Sequence, residues 1–166
     1  MQTNNLAVAA NQTVVLDSAD PTYAKQIVKL TPQNIDDLKN WIGVPDTAFA
    51  NTPAPGPLPM TVLPIETTYT TAQSMDMRAL ASSYIFGHSA SISPAQIPAL
   101  NAWIKSSAAY IIVILFENIT VASGARLVVN KSITTLFAND ITIDKGGVIQ
   151  LKNSTSGINC ASIKGL

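Results

Sequence analysis

The side chains able to do chemistry are few. Asp140, Asp144 and Lys145 form the densest charged cluster, with Arg126 and Lys152 the nearest other bases in projection. Two carboxyls beside a base can serve proton transfer or contact a polar ligand, and these three are the candidate binding residues. The single histidine, His88, lies in the stretch IFGHSAS beside Ser89. A serine next to a histidine in sequence has no special geometry for nucleophilic attack, and no acid is placed to orient the imidazole. His88 therefore reads as a structural residue, facing solvent or hydrogen-bonded. Cys160 is the only cysteine, which excludes an intrachain disulfide, and it reads as a small buried hydrophobe. One histidine and one cysteine cannot supply the usual zinc ligands. With no phosphate loop or nucleotide fingerprint either, no catalytic residue, metal or cofactor is expected.

Composition narrows the partners. Charged residues are 12% of the 166 and the formal net charge is +0, so nothing draws the chain to phosphate backbones or anionic lipid. Nucleic acid is excluded as an expected partner. The longest apolar run, 108–116 (AAYIIVILF), is about half the roughly 20 residues needed to span a bilayer, and it reads as a buried strand. The first residues carry neither a basic nor a continuous apolar segment, so no signal peptide is expected. The hydroxyl- and amide-rich composition associates with extracellular or cell-surface proteins.

The elements that must position these residues follow from patterning. A strand is expected at 13–16 (TVVL), then a turn at 17–21 (DSADP). Thr31 and Pro32 open an amphipathic helix over 32–42 that Gly43 closes. Six of the ten prolines fall in 45–64, which excludes a helix or central strand and predicts an extended strap, either a passive connection or a docking arm. A helix is expected over 73–84, and Ser93 and Pro94 open another. TPQNIDDLKNWI from Thr31 matches SPAQIPALNAWI from Ser93 at the cap, the proline, Ile35/Ile97, Leu38/Leu100, Trp41/Trp103 and Ile42/Ile104, an internal duplication with both tryptophans on buried faces. The resulting division is 1–44, a strand and helix; 45–65, the strap; 66–110, a helical cap; and 111–166, the repeat described next.

From Asn118, NITVASGARLVV aligns without a gap to DITIDKGGVIQL from Asp140, 22 residues on. The same offset gives the ladders Ile119/Ile141/Ile163, Val121/Ile143, Leu127/Ile149, Val129/Leu151 and Leu136/Ile158, with Cys160 above Ala138. Apolar pairs two apart place three short strands in each period. Corners fall at 122–125 and 130–132, with Gly124 and Gly146 in the first. The positions preceding Asp140, Asp144 and Lys145 by one period are Asn118, Ala122 and Ser123, so acids do not stack into a catalytic pair.

On this coil length and inward pattern the C-terminal third resembles the right-handed parallel β-helix superfamily of pectate-lyase-like enzymes, phage tailspikes and filamentous adhesins. The resemblance implies a mainly β fold: a parallel β-solenoid of about 22 residues per coil, capped at its N-terminal end by the helix after Pro94, with an α/irregular N-terminal region. It also implies an unfinished coil at Leu166. The expected function is a non-enzymatic structural or adhesive module that self-associates, or takes up further coils, through that open end, with polysaccharide as a further partner. The alternative is the N-terminal portion of a carbohydrate-active enzyme or tailspike whose site lies beyond residue 166.

Overall fold

The computed structural model describes residues 4–51, 63–66, 68–152 and 157–166. Most of the proline-rich strap, 52–62, therefore lies outside the described residues. Among these residues eight strands and three α-helices follow in chain order. They are β1 (Leu6–Val8), β2 (Thr13–Leu16), β3 (Ile27–Leu30), α1 (Ile35–Ile42), α2 (Thr71–Phe86), α3 (Ile97–Ser106), β4 (Ile111–Val121), β5 (Arg126–Val129), β6 (Thr135–Ile143), β7 (Val148–Leu151) and β8 (Gly157–Gly165).

The expected mainly-β solenoid is overturned. Among the described residues helix, 3-10 turns included, accounts for 32% and strand for 33%, a mixed α/β fold with two parallel sheets and three α-helices. The chain divides into two units: Met1–Leu30 with Ile111–Leu166, and Thr31–Tyr110. All eight strands belong to the first and all three helices to the second.

Two sheets build the strand unit. One runs β1-β4-β6-β8, entirely parallel, with β3 added antiparallel to β4; the other runs β2-β5-β7, also parallel. The register pairs Ile119 with Ile141 and Ile141 with Ile163, Leu127 with Ile149, and Val129 with Leu151. Neighbouring strands are thus offset by 22 residues, as also between Ser123 and Lys145. Side chains in one column stack at about 4.8 Å. Ile114, Ile119, Val121, Leu127, Val129, Leu136 and Ile141 are buried in this core, each contributing roughly 1.5–3 kcal/mol of apolar transfer.

Each period holds two strands, not the three expected. The corners at 122–125 and 130–133 are present as turns, closed by Ala125 N–H to Ala122 O at 3.0 Å and Ile133 N–H to Asn130 O at 3.0 Å. No third corner forms, because 137–140 (FAND) has neither glycine nor proline to break it. The strand bends instead. Pairing runs Phe116 to Ala138 and resumes at Asn118 to Asp140, passing over Glu117 and Asn139. Inward positions two apart, Leu136 and Ala138, give way after three residues to Ile141, so the buried side switches at the bend and one strand serves two faces of the core.

The helical cap over the N-terminal edge is also corrected. The edge of β4 away from β6 is hydrogen-bonded to strands from the first thirty residues: Leu6–Val8 pairs with Ile119–Val121 and Ile27–Leu30 with Ile111–Ile114. In the second sheet Thr13–Leu16 pairs with Arg126–Val129. Strand pairing satisfies those backbone groups. Asn5 and Asn118 lie 113 residues apart in sequence, as do Asp17 and Asn130, and each pair is joined by side-chain hydrogen bonds.

In the helical unit, α1 begins at Ile35 and not at Pro32, because Asn34 is its cap: Asn34 Oδ1 accepts from Asp37 N–H at 2.8 Å. The N–H of Ile35 donates to Asn101 Oδ1 at 2.8 Å, so α3 supplies a second acceptor to the start of α1. A reciprocal Thr70–Gln73 capping box starts α2. Ser93 and Gln96 form another box on a single 3-10 turn that leads into α3. The duplicated motif therefore starts its two helices differently. Ile35, Leu38, Leu100 and Ile104 are buried, whereas Trp41 and Trp103 are half-buried.

Candidate functional site

Asp140, Asp144 and Lys145 occupy one strand end and the turn beyond it, but they do not converge. Asp140 is exposed on β6, between Asn118 and Ser162 in the register, and its carboxylate accepts a hydrogen bond from Ser162 Oγ. Asp144 is half-buried in the turn after β6, where its N–H donates to Val121 O at 2.9 Å and its carbonyl accepts from Gly147 N–H at 2.8 Å. Lys145 is exposed, and its carbonyl accepts from Ser123 Oγ at 2.9 Å. Four residues of near-extended chain separate the two acids by roughly 13 Å, beyond any shared proton. Arg126 spends one donor on Gln150, Nη1 to Oε1 at 3.2 Å. The Asp140–Ser162 and Arg126–Gln150 side-chain bonds cross-link neighbouring strands, whereas Asp144 and Lys145 are joined to the preceding turn through their backbone.

A tighter constellation lies in the helical unit. Lys39, from α1, projects its ammonium onto three acceptors: Tyr84 O at 2.9 Å, Gly87 O at 2.8 Å and the Asp46 carboxylate at 2.9 Å. The two carbonyls belong to the last turn and the cap of α2, where peptide carbonyls lack helical partners and attract a cation. Asp46 opens a 3-10 turn, Asp46–Phe49, and accepts from the backbone N–H of Ser89 at 2.9 Å as well as from its hydroxyl. Burial pushes the Asp46 carboxyl up, but the two Ser89 hydrogen bonds and the bond and charge of Lys39 outweigh it and hold the group well below the usual carboxylate range.

Around this pair, Tyr84 Oη donates to Asp36. Burial first, then that hydrogen bond and the negative charge of Asp36 and Asp46, push its phenol up to about 12. Lys39 Nζ also lies 5.5 Å from the Tyr84 ring centroid. His88 Nδ1 accepts from Ala90 N–H at 3.1 Å, and its ring packs 5.9 Å from that of Phe49. A lysine whose three donors meet three acceptors has no lone pair to offer a substrate, and the carboxylate beside it already accepts from Lys39 and twice from Ser89. The constellation clamps the end of α2 to the turns that follow α1 and α2.

The sequence reading passed over Lys39 and Asp46. Seven residues apart and separated by Gly43 and Pro45, they carry no motif; the pairing arises because the turn after α1 folds back. His88 is placed as a hydrogen-bonded structural residue in a turn.

Cys160 stacks beside Ala138 in the register and is half-buried. Among the described residues no three of His, Cys, Asp and Glu are grouped to hold a metal ion. No described helix is long and apolar enough to cross a membrane. Each sheet has two outer strands among the described residues, β1 and β8 in one and β2 and β7 in the other, and the β7/β8 edge is the one at which the apolar columns end. There the buried ladders come into the open: Ile119 and Ile141 are 1% and 0% exposed, but Ile163, next in the same column, is 57% exposed.

No protein-family model, curated protein or solved structure matches this chain, so the resemblance to the parallel β-helix superfamily drawn from coil length is withdrawn, and the chain is identified by its own architecture, a two-unit α/β protein built on two parallel sheets.

Proposed function

We propose that the chain is a non-enzymatic structural module whose working surface is the β7/β8 edge, which takes up further parallel strands in the existing 22-residue register. The observation carrying this reading is the exposed end of the apolar columns. Ile163, Leu151, Ile149 and Ile158 continue columns whose earlier members are buried, and they lie on strands with one unpaired side. Such an edge presents a row of free N–H and C=O groups, the ordinary template for adding a strand. The engagement of all three Lys39 donors and the separation of Asp140 from Asp144 support a non-catalytic role.

The test is to append a copy of residues 145–166 after Leu166, which keeps the columns in phase. Amides of β8 should become protected from hydrogen exchange and the melting temperature should rise. An appended segment that stays freely exchanging, with β8 unchanged, refutes strand uptake at this edge.

A further inference from the structure

The two parallel sheets have polarity, because each begins on a strand from the first thirty residues and ends on a strand from the last twenty-two. The outer strands at the beginning are β1 and β2, and those at the end are β8 and β7. Their charges differ in sign. Residues 4–24, which carry β1 and β2, contain Asp17 and Asp20, with Lys25 following directly; residues 145–166 contain Lys145, Lys152 and Lys164 and no acid. Lys29, on β3, also lies along the beginning edge, but it sits in the column of Ile112, away from Lys152 and Lys164.

One column makes the complementarity specific. Leu16 pairs with Val129 and Val129 with Leu151, so the next residues, Asp17, Asn130 and Lys152, also stack. The backbone continues the ladder through them, Asn130 N–H to Leu16 O at 2.9 Å and Lys152 N–H to Val129 O at 2.9 Å. The Asp17 carboxylate already accepts from Ala19 N–H, Ser132 Oγ and Asn130 Nδ2, which leaves one of its four acceptor sites for a cation. Lys152 is exposed at the end of this column. The beginning strand of another copy, set against β7 in the same register, would bring its own Asp17 beside Lys152. In the other sheet, the half-buried Leu6 at the start of the Ile119 column would cover Ile163 at its end.

From this we infer that the partner of the β7/β8 edge is a second copy of this chain, docked head to tail by its β1/β2 edge and held in register by Lys152 against Asp17. The inference rests on the strand-uptake reading and names its occupant. Lysines on a sheet edge commonly prevent pairing, and here they repel a second β7/β8 edge while Lys152 attracts the Asp17 of the beginning edge. That gives the assembly a direction. A heterologous contact of this kind does not close on itself as a two-fold pair does, and it continues from copy to copy.

Sedimentation of the 166-residue chain over a concentration series tests this. The expected result is a mass that grows past the dimer and falls back as salt screens the charges. Lys152→Asp should weaken association by about tenfold, and the double exchange D17K/K152D should recover part of the loss. Mixed in below equal amounts, K152D retains an intact beginning edge and should end growing stacks. Two results overturn the inference: a chain that is monomeric even at about 1 mM, or a discrete dimer that mixing with K152D strengthens, as a β7/β8 edge meeting its own kind would. If the appended copy of residues 145–166 is ordered on β8 while the parent chain stays monomeric, strand uptake stands and only the head-to-tail partner fails.

Discussion

Asn11 and Gly124 occupy the same position in successive turns, with φ of 60° and 68°. Asn11 N–H donates to Ser123 O at 3.3 Å, and a Cβ built on Gly124 would lie 2.5 Å from Asn11 Oδ1. Gly146, in the following turn, has φ of 80°. The left-handed conformation is open to glycine at no steric cost and to asparagine more readily than to other side chains, so one turn is written three times with the residues that tolerate it. Gly124→Ala should destabilise the strand unit by about 1–2 kcal/mol from the backbone conformation alone, and somewhat more because Asn11 must move. Gly146→Ala meets nothing closer than 3.7 Å and should show only the conformational part. Asn11→Gly should be neutral or slightly stabilising. Urea denaturation of the three variants checks the order.

That turn also measures what was legible in the sequence. The stretch NLAVAANQTVVL from Asn5 lies without a gap on NITVASGARLVV from Asn118, sharing Asn5, Val8, Ala9 and Val15. The register confirms the alignment. It was missed because the two segments stand 113 residues apart and the helical unit separates them; a search for a period stops at a long insertion. The 22-residue pairing of Ile119, Ile141 and Ile163 was readable because those segments adjoin. Patterning located the three helices through their caps and spacing, but the fold class followed the C-terminal repeat alone, although helix and strand are nearly equal among the described residues. Patterning could not provide the bend at Glu117 and Asn139, where alternation breaks for one residue within a continuous strand. Lys39 and Asp46 were illegible for a related reason: their bond depends on where a turn returns.

Ile141 and Ile163 share a column but not an environment, with exposures of 0% and 57%. Ile141→Ala removes a side chain packed between two others and should cost about 2–5 kcal/mol. Ile163→Ala in dilute solution should cost under about 1 kcal/mol. If β8 is covered by another copy at high concentration, the Ile163 variant should lose association while keeping its dilute-solution melting temperature. Paired melts at low and high protein concentration separate these effects.

Lys39 satisfies two helix-end carbonyls as well as Asp46. Lys39→Met keeps the stem but leaves Tyr84 O and Gly87 O without their donor and Asp46 without its counter-charge. It should destabilise the helical unit by about 1–3 kcal/mol. Asp46→Asn keeps the shape and removes the charge. Because the folded Asp46 carboxyl lies below its ordinary value of 3.8, its contribution is complete above that value and disappears as pH falls through the folded one. The D46N chain should therefore show a flatter loss of stability in acid than the parent. Helical circular dichroism followed from pH 6 downward in fixed urea reads the difference; parallel curves would show that Ser89 and Lys39 do not hold the charge.

Tyr84 should supply the opposite limb. Its phenol is raised from 10.0 to about 12, first by burial and then by donating to Asp36. The neutral form is thus favoured in the folded chain, and its contribution is complete below pH 10.0 and lost as pH rises through about 12. Tyr84→Phe removes both the hydrogen bond and the titration. The variant should be less stable than the parent by about 0.5–1.5 kcal/mol at neutral pH, and the difference should shrink through the alkaline range as the parent loses its own advantage. Ultraviolet titration of the folded parent should find a tyrosinate that forms only near pH 12 and is absent from the Y84F chain. A tyrosine spectrum in which Y84F removes a group titrating near 10 instead would mean that the Tyr84–Asp36 bond does not persist in solution.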